Sequence, residues 1–305
     1  MARPHRMKSW RYNPRLAPYL FILPFLLTLL IFWLVPVARS IVMSFQEVLY
    51  GDATFIGTRN YERLWRDSVF WQAMFNSVRY MVLTLVLLIP IPMILAAIIN
   101  SKLGSPRIKN FFKSSLFVPA LTSVVVAGIV FRLMFSETDS GLMNQVAAFL
   151  GFGPVRWLRE DATGLFALLL LAVWRWTGVN TMYFLAGMQA IPTEYYEAAS
   201  IDGANRIQQF FNVTLPGLKP TIVYVTTISV YGGLAMFLES FMLYAGNNSP
   251  NNQGLTIVGY LYRKGIQEND LGFASAVGVV LLVLVLAINL TQLTATGTFK
   301  KEAMR

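Results

Sequence analysis

The chain has 305 residues, of which 55% are hydrophobic and only 13% charged, and its net charge is +10. The absence of cysteine excludes disulfides, thiolate metal sites and cysteine nucleophiles, and the single histidine, His5, gives little basis for a Ser-His-Asp triad. Neither a G-x-x-x-x-G-K-[ST] phosphate loop nor an H-E-x-x-H zinc motif occurs, so the chain itself is predicted to bind no ATP and no catalytic metal.

Six apolar segments, each about as long as the roughly 20 residues that cross a bilayer, predict an all-α integral membrane protein. They are residues 19–42, 76–99, 114–135, 164–188, 220–244 and 271–294. Prolines inside them predict kinks, at Pro24, Pro36, Pro90, Pro92 and Pro119. We predict a membrane domain over 17–297, between a basic cytoplasmic tail at 1–16 and a short one at 298–305.

The first apolar segment allows one alternative, a cleaved signal peptide behind the basic residues of the tail. Its apolar stretch is longer than the usual hydrophobic region of a signal peptide, and no small-x-small cleavage site follows it. We therefore favour a membrane span.

The distribution of charge predicts the orientation. With the N-terminus in the cytoplasm, the cytoplasmic side holds fourteen basic and four acidic residues, and the rest of the chain is neutral overall. This asymmetry follows the positive-inside rule, and an even number of spans places both termini in the cytoplasm. Because the basic residues lie in short segments beside the spans, they do not indicate nucleic-acid binding.

Two charges lie inside the predicted spans, Arg175 in the fourth and Glu239 in the fifth. A charge at the membrane centre costs about 2.5–3.5 kcal/mol on insertion scales, so it faces either a polar path or an ionic partner. In straight helices, at 1.5 Å per residue, Glu239 would lie about 8 Å deep and Arg175 about 9 Å deeper. Arg79 and Arg132 are therefore the nearer candidate partners, and both interpretations of Glu239 stay open.

The loop at 191–216 reads as two short helices around a turn. Thr193 is predicted to cap the first helix, Asp202-Gly203 to form the turn, and Asn205 with Gln208 to form a capping box. An apolar stripe follows at helical spacing, made of Ile207, Phe210 and Phe211. Such a loop either folds against the base of the bundle or is covered by a partner.

The same loop carries a recognisable signature. Glu197-Ala198-Ala199, then Gly203, then Val213-x-Leu215-Pro216 matches the pattern E-A-A-x3-G-x9-I-x-L-P, with Val in place of Ile. In this it resembles the permease subunits of binding-protein-dependent ABC importers. There the loop is a coupling helix that docks in a cleft of the ATPase. The resemblance implies ATPase-coupling roles for Glu197, Ala198, Ala199, Asp202, Gly203, Leu215 and Pro216.

Four further stretches, at 55–61, 174–178, 261–265 and 271–276, resemble the carbohydrate branch of that family, the maltose and glycerol-phosphate type permeases. This implies a sugar as substrate. Trp174 and Trp176 flank Arg175 and are candidates for stacking on a sugar ring, although plain helix packing is the simpler explanation. We predict that the substrate path includes Trp174, Thr177, Gly178, Thr181 and Glu239.

The resemblance implies alternating access in the bacterial cytoplasmic (inner) membrane, without covalent chemistry in this chain. It implies a second, homologous permease in a heterodimer, an ATPase dimer that binds ATP and Mg, and an extracytoplasmic solute-binding protein. A permease of the same superfamily for glycerol phosphate or an amino acid is the main alternative. An ion-coupled secondary transporter would need inverted repeats, and a membrane enzyme would need clustered titratable groups; we find neither in the sequence.

Overall fold

The computed structural model describes residues 16–49, 52–101 and 104–297, most of them in helices. Helix α1 is Ala17–Met43, and its middle turn, Leu30–Leu34, is π-helical. This turn comes directly before Pro36, which has no N–H to donate to the preceding turn. No side chain of α1 is buried within this chain, and only its second half, Val35–Met43, packs against the last helix, Leu271–Ala295, so most of its surface is left to lipid or to another subunit.

A small antiparallel hairpin, which the sequence did not predict, follows α1. Strands β1, Gln46–Leu49, and β2, Asp52–Phe55, pair directly before helix α2, Arg59–Arg66. The buried Asn60 amide holds this region together, because its Nδ2 donates to the Ser44 carbonyl at 3.0 Å and the Gln46 carbonyl at 2.9 Å.

The second and third apolar segments both depart from straight helices. Helix α3, Ser68–Asn100, is interrupted at Ile89, directly before Pro90. The third segment is not one continuous span as expected: helices α4, Pro106–Leu121, and α5, Val124–Met134, meet at an angle of 95°. The bend lies where Thr122 and Ser123 adopt extended backbone angles, shortly after Pro119.

The central part of the chain holds the longest uninterrupted helix among the described residues. Helix α6, Leu142–Phe149, precedes α7, Asp161–Gln189, which corresponds to the fourth apolar segment. The loop that follows contains α8, Thr193–Ile201, and α9, Arg206–Gln209. A π-helical turn, Phe210–Thr214, and the short helical turn Leu215–Gly217 complete this loop.

The fifth apolar segment is also not the single helix expected for 220–244. Helix α10, Lys219–Leu234, has only 16 residues, and the backbone breaks before the short helix α11, Leu238–Leu243. Helix α12, Ile257–Tyr262, continues into a π-helical turn, Arg263–Gln267. The chain then enters α13, Leu271–Ala295, which matches the sixth segment.

Four helices in the described ranges, α1, α3, α7 and α13, are long and apolar enough to cross a membrane, and the bent α4–α5 pair could add a fifth. The all-α membrane class is confirmed, with the β-hairpin as its exception. The count of six spans stays a prediction. The two predicted tails lie outside the described residues, apart from Leu16.

Two large clusters of buried side chains hold α7 against its neighbours. One contains Phe131, Phe135 and Leu171, together with Leu243 of α11. The other contains Phe184 and Leu185 of α7, together with Leu218 and Val225 beside the 191–216 loop. The first cluster stabilises the end of α7 near Asp161, and the second links the opposite end to the loop.

Candidate functional site

A cleft of about 420 Å³ lies between α3, α7 and α10, within the size range of small-molecule sites. Its wall combines apolar side chains with a few polar ones: Tyr80, Thr84, Trp176, Asn180, Tyr231 and Glu239. The Asn180 amide is fixed because its Nδ2 donates to the Leu88 carbonyl at 3.0 Å. This bond crosses from α7 to α3 next to the interruption at Ile89, so the polar wall also joins the two helices.

Arg175 and Glu239 form an ion pair at this cleft. Nη1 of Arg175 lies 3.2 Å from Oε1 of Glu239, and the two side chains are only 16% and 15% exposed. The Arg175 guanidinium also lies over the Trp176 ring, 5.3 Å from its centroid. In the part of the chain described, buried Nε of Arg175 has no hydrogen-bond partner. Glu239 therefore lines the cleft, whereas Arg175 binds Glu239 but is not part of the cleft lining.

This pairing corrects the depth expected from straight helices. Glu239 lies in the first turn of α11, beyond the break after Leu234, where Phe237 has φ −142° and ψ −60°. Because of this break, α11 does not continue the axis of α10 and packs against α5. The absence of a side chain at Gly128 of α5 leaves room there for Met242 of α11. Arg79, the nearer candidate on straight helices, instead binds Asp161 at 2.6 Å.

The other residues predicted for the substrate path lie outside the lining of this cleft. Trp174 packs on Phe131 with ring centroids 5.5 Å apart. Thr181 is buried and donates to the Thr177 carbonyl at 2.7 Å. A Cβ on Gly178 would lie 1.8 Å from the Leu116 carbonyl oxygen, so this glycine allows α4 to approach α7 closely.

Sequence reasoning missed several cleft residues, notably Tyr80 and Thr84 on α3, and Asn180 and Tyr231. Tyr80 and Thr84 are four apart and share a face of a helix, which is a detectable signal. Nothing in the sequence indicated that this face would lie opposite Trp176 and Glu239, because that depends on how α3, α7 and α11 pack.

The loop at 191–216 has the two-helix form predicted for it. Gly203 turns the chain with φ +78°, a conformation that costs glycine nothing. The capping box is confirmed: Asn205 Oδ1 accepts from the Gln208 N–H at 2.9 Å, and Gln208 Oε1 accepts from the Asn205 N–H at 2.8 Å. The cap predicted for Thr193 is wrong, because α8 begins at Thr193 itself and Pro192 occupies the capping position without a side-chain bond.

Two faces of this loop have different environments. Tyr196, Phe210 and Val213 pack on the base of the bundle, and the Tyr196 and Thr214 hydroxyls are 3.0 Å apart. On the other face, large apolar side chains are exposed, including Ile201 at 87%: Tyr195, Ile201, Ile207 and Phe211. Exposed apolar patches of this kind mark interaction surfaces. The bundle therefore covers only one face.

The motif residues lie around the turn and at the end of the loop. Glu197 and Ala198 of α8 are exposed, as are Asp202 and Gly203. Ala199 is half-buried, and its carbonyl accepts from the Ala204 N–H at 2.9 Å. Leu215 and Pro216 form the last helical turn of the loop directly before α10. The middle of the loop, around Gly203, is thus exposed, whereas its end at Leu215 and Pro216 is joined directly to α10.

The fold and this loop agree with comparisons to known proteins. Residues 14–294 match the family described as "Binding-protein-dependent transport system inner membrane component". The chain belongs to that family of transmembrane permeases, which confirms the resemblance carried by the loop motif.

Among curated relatives, the chain is 48% identical to the arabinooligosaccharides transport system permease protein AraP of Bacillus subtilis, over 97% of this chain and 95% of that protein. It is 50% identical to AraP of Halalkalibacterium halodurans, over 97% and 92% of the two chains. It is 34% identical to the lactose transport system permease protein LacF of Rhizobium radiobacter, over 91% and 93%.

A solved structure shares the fold. It is a bacterial alginate ABC transporter in complex with an alginate pentasaccharide-bound periplasmic protein. One of its chains superposes with a TM-score of 0.83 at 24% identity, covering 96% of this chain and 98% of that one. The likeness shows that the described part of this chain shares the fold of that transporter chain.

Proposed function

We propose that this chain is the membrane-spanning permease subunit of an ATP-driven importer that carries a sugar or oligosaccharide inward by alternating access. The observation that carries the proposal is the near-50% identity to the AraP proteins along almost the entire chain. Short pentose oligosaccharides are therefore the first substrates to test.

Energy would reach the permease through the 191–216 loop. Its exposed face, with Tyr195, Ile201 and Phe211, suits docking into an apolar cleft of a separate ATPase subunit, which would bind ATP and Mg. The coupling residues we propose are those of the motif: Glu197, Ala198, Ala199, Asp202, Gly203, Leu215 and Pro216. The packing of Phe210 on the bundle would pass movement of the loop to α7 and α10.

The substrate path would run along the cleft beside Glu239. A carboxylate accepts hydrogen bonds from sugar hydroxyls, and Trp176 offers an aromatic face beside it. Trp174, Thr177, Gly178 and Thr181 would act by fixing the helices that shape this wall. A second, homologous permease would close the open side of the cleft, and an extracytoplasmic binding protein would deliver the sugar.

The orientation we propose has both termini in the cytoplasm, supported by the excess of basic residues on that side. A reporter fused after Arg305 should behave as cytoplasmic, and one inserted near Asn248 as external. A cytoplasmic signal from the Asn248 insertion would refute this topology and the six-span count.

Uptake by cells tests the function. Deleting the gene for this chain should abolish uptake of a labelled arabinooligosaccharide, and the gene supplied in trans should restore it. Uptake of an unrelated sugar through another system is the control. If arabinooligosaccharide uptake persists while transport of another solute is lost, such as glycerol phosphate or an amino acid, the proposed substrate class is wrong.

A further inference from the structure

Helix α6 presents an apolar face away from the protein. Its buried side consists of Asn144 and Ala147, whereas large apolar side chains are exposed on the opposite side and in the turn that follows, with Phe149 at 89%. These exposed residues, which we call the α6 tip, are Leu142, Val146, Phe149, Leu150 and Phe152. A helix that buries a polar side chain and exposes apolar ones is unusual for a surface in water.

Polar contacts fix the α6 tip in this orientation. Oδ1 of Asn144 accepts from the Val155 N–H at 3.0 Å and from Trp157 Nε1 at 2.8 Å. Its Nδ2 donates to the Thr138 carbonyl at 3.2 Å. Because the amide of Asn144 is committed inward on both sides, α6 cannot rotate to bury its apolar face without breaking these bonds.

The position of α6 relative to the spans is set by aromatic packing. The Trp157 ring lies 5.6 Å from Phe135, one residue past the end of α5, and 6.3 Å from Phe166, in the second turn of α7. Trp157, bonded to Asn144, therefore places α6 level with the ends of two membrane helices. Tryptophan at such a level is typical of the membrane–water interface.

The chemistry of the α6 tip favours lipid over protein. Residues 140–155 contain no charged side chain, whereas Glu137, Asp139, Arg156 and Arg159 bound this stretch at either end. Helix α5, which packs beside α6, also exposes large apolar side chains, at Val126, Val130 and Leu133. Surfaces that bind another protein transiently are about as polar as the rest of a protein's surface. Residues 140–155 carry no charge, so this stretch does not resemble the docking site of a binding protein.

We propose that the α6 tip lies in the lipid–water interface, with its apolar side chains in the upper acyl region of the bilayer and the flanking charges among the headgroups. This is the arrangement of amphipathic interfacial helices, whose affinity rises with the apolar area buried in lipid. It fixes the outer ends of α5 and α7 relative to the membrane surface. The assignment to the external leaflet rests on the proposed orientation; the lipid contact itself does not.

Nitroxide scanning of the assembled complex in lipid nanodiscs tests the proposal. Because the chain has no cysteine, Phe149→Cys and Val146→Cys each introduce a single label site in this subunit, and the unsubstituted chain gives the background from partner subunits. Asp139→Cys, in the charged segment before α6, is the matched water-exposed control. Collision with oxygen reports lipid, and collision with a water-soluble nickel chelate reports water.

We expect labels at 149 and 146 to collide readily with oxygen and poorly with nickel. Their depth should match that of lipids labelled on the upper part of the acyl chain. The label at 139 should show the reverse. High nickel accessibility at 149 and 146 would overturn the proposal in favour of a solvent-facing surface. Low accessibility to both reagents would also overturn it, because the second permease would then cover the α6 tip.

Discussion

At the scale of single residues, the structure shows that Glu239 belongs to an ion pair with Arg175, whereas a contact between Glu239 and substrate stays a prediction. The charges bind each other at 3.2 Å in a largely buried position, and Glu239 also lines the cleft. A buried ion pair is weak evidence for stability, because desolvation of the two charges offsets their attraction. Because Glu239 also lines the cleft, we propose that this residue contacts the substrate as well as Arg175.

The substitution Glu239→Gln separates these contributions. It keeps the shape and one accepting oxygen, but leaves the Arg175 charge unpaired, so we expect a lower melting temperature of the purified complex and reduced transport. Breaking a buried pair typically costs about 3–5 kcal/mol, and the retained oxygen should reduce this cost. The double variant with Arg175→Gln should recover stability but not transport. Normal stability together with normal transport in the single variant would rule out both roles.

Gly178 tests the packing interpretation of the W-x-W-x-G stretch. We expect Gly178→Ala to destabilise the protein by about 1–3 kcal/mol or more, because the added Cβ overlaps the Leu116 carbonyl. Thermal unfolding of the purified complex measures this. Gly232→Ala is the matched control, since a Cβ there meets no atom within 4 Å apart from its own stretch of helix. Equal stability of the two variants would contradict the close approach of α4 to α7.

At the scale of elements, local signals were predictable and breaks in helices were not. The Asn205–Gln208 capping box and the turn at Gly203 depend on neighbours within a few residues, and both were predicted. The break between Leu234 and Leu238 follows Gly232-Gly233, a pair that weakens a helix, but we gave this pair no weight in the sequence and therefore did not foresee the new position of Glu239. The bend at Thr122–Ser123 is similar, because Pro119 predicted a kink but not an angle of 95°.

The Gly203 turn offers a sharp test of the coupling loop. Proline fixes φ near −65° and cannot adopt the +78° found here, whereas asparagine tolerates this region. We expect Gly203→Pro to insert into the membrane but lose co-purification of the ATPase, and Gly203→Asn to retain it. Glu197→Lys, a charge reversal on the exposed face of α8, should also weaken docking. A full complex with Gly203→Pro would contradict the proposed coupling role.

At the scale of the whole molecule, the chain leaves several surfaces uncovered, as expected for one subunit of a larger complex. Helix α1 buries no side chain within its own chain, the 191–216 loop exposes large apolar residues, and the described residues do not fully enclose the cleft. The class of protein was predictable because it depends on the length of the apolar segments and on one loop motif. Glu239 was the one predicted substrate-path residue that lines the cleft; Tyr80 and Asn180 were not predicted, because they meet Glu239 only through packing of distant helices.

We propose above all that this chain couples ATP hydrolysis in another subunit to sugar import. The most direct measurement is uptake of a labelled arabinooligosaccharide into proteoliposomes that contain this chain, its partner permease and the ATPase, with the sugar-loaded binding protein on the external side. We predict uptake with ATP inside, none with a non-hydrolysable analogue, and none when this chain is replaced by Gly203→Pro. Uptake that proceeds without ATP, driven by an ion gradient alone, would contradict the account.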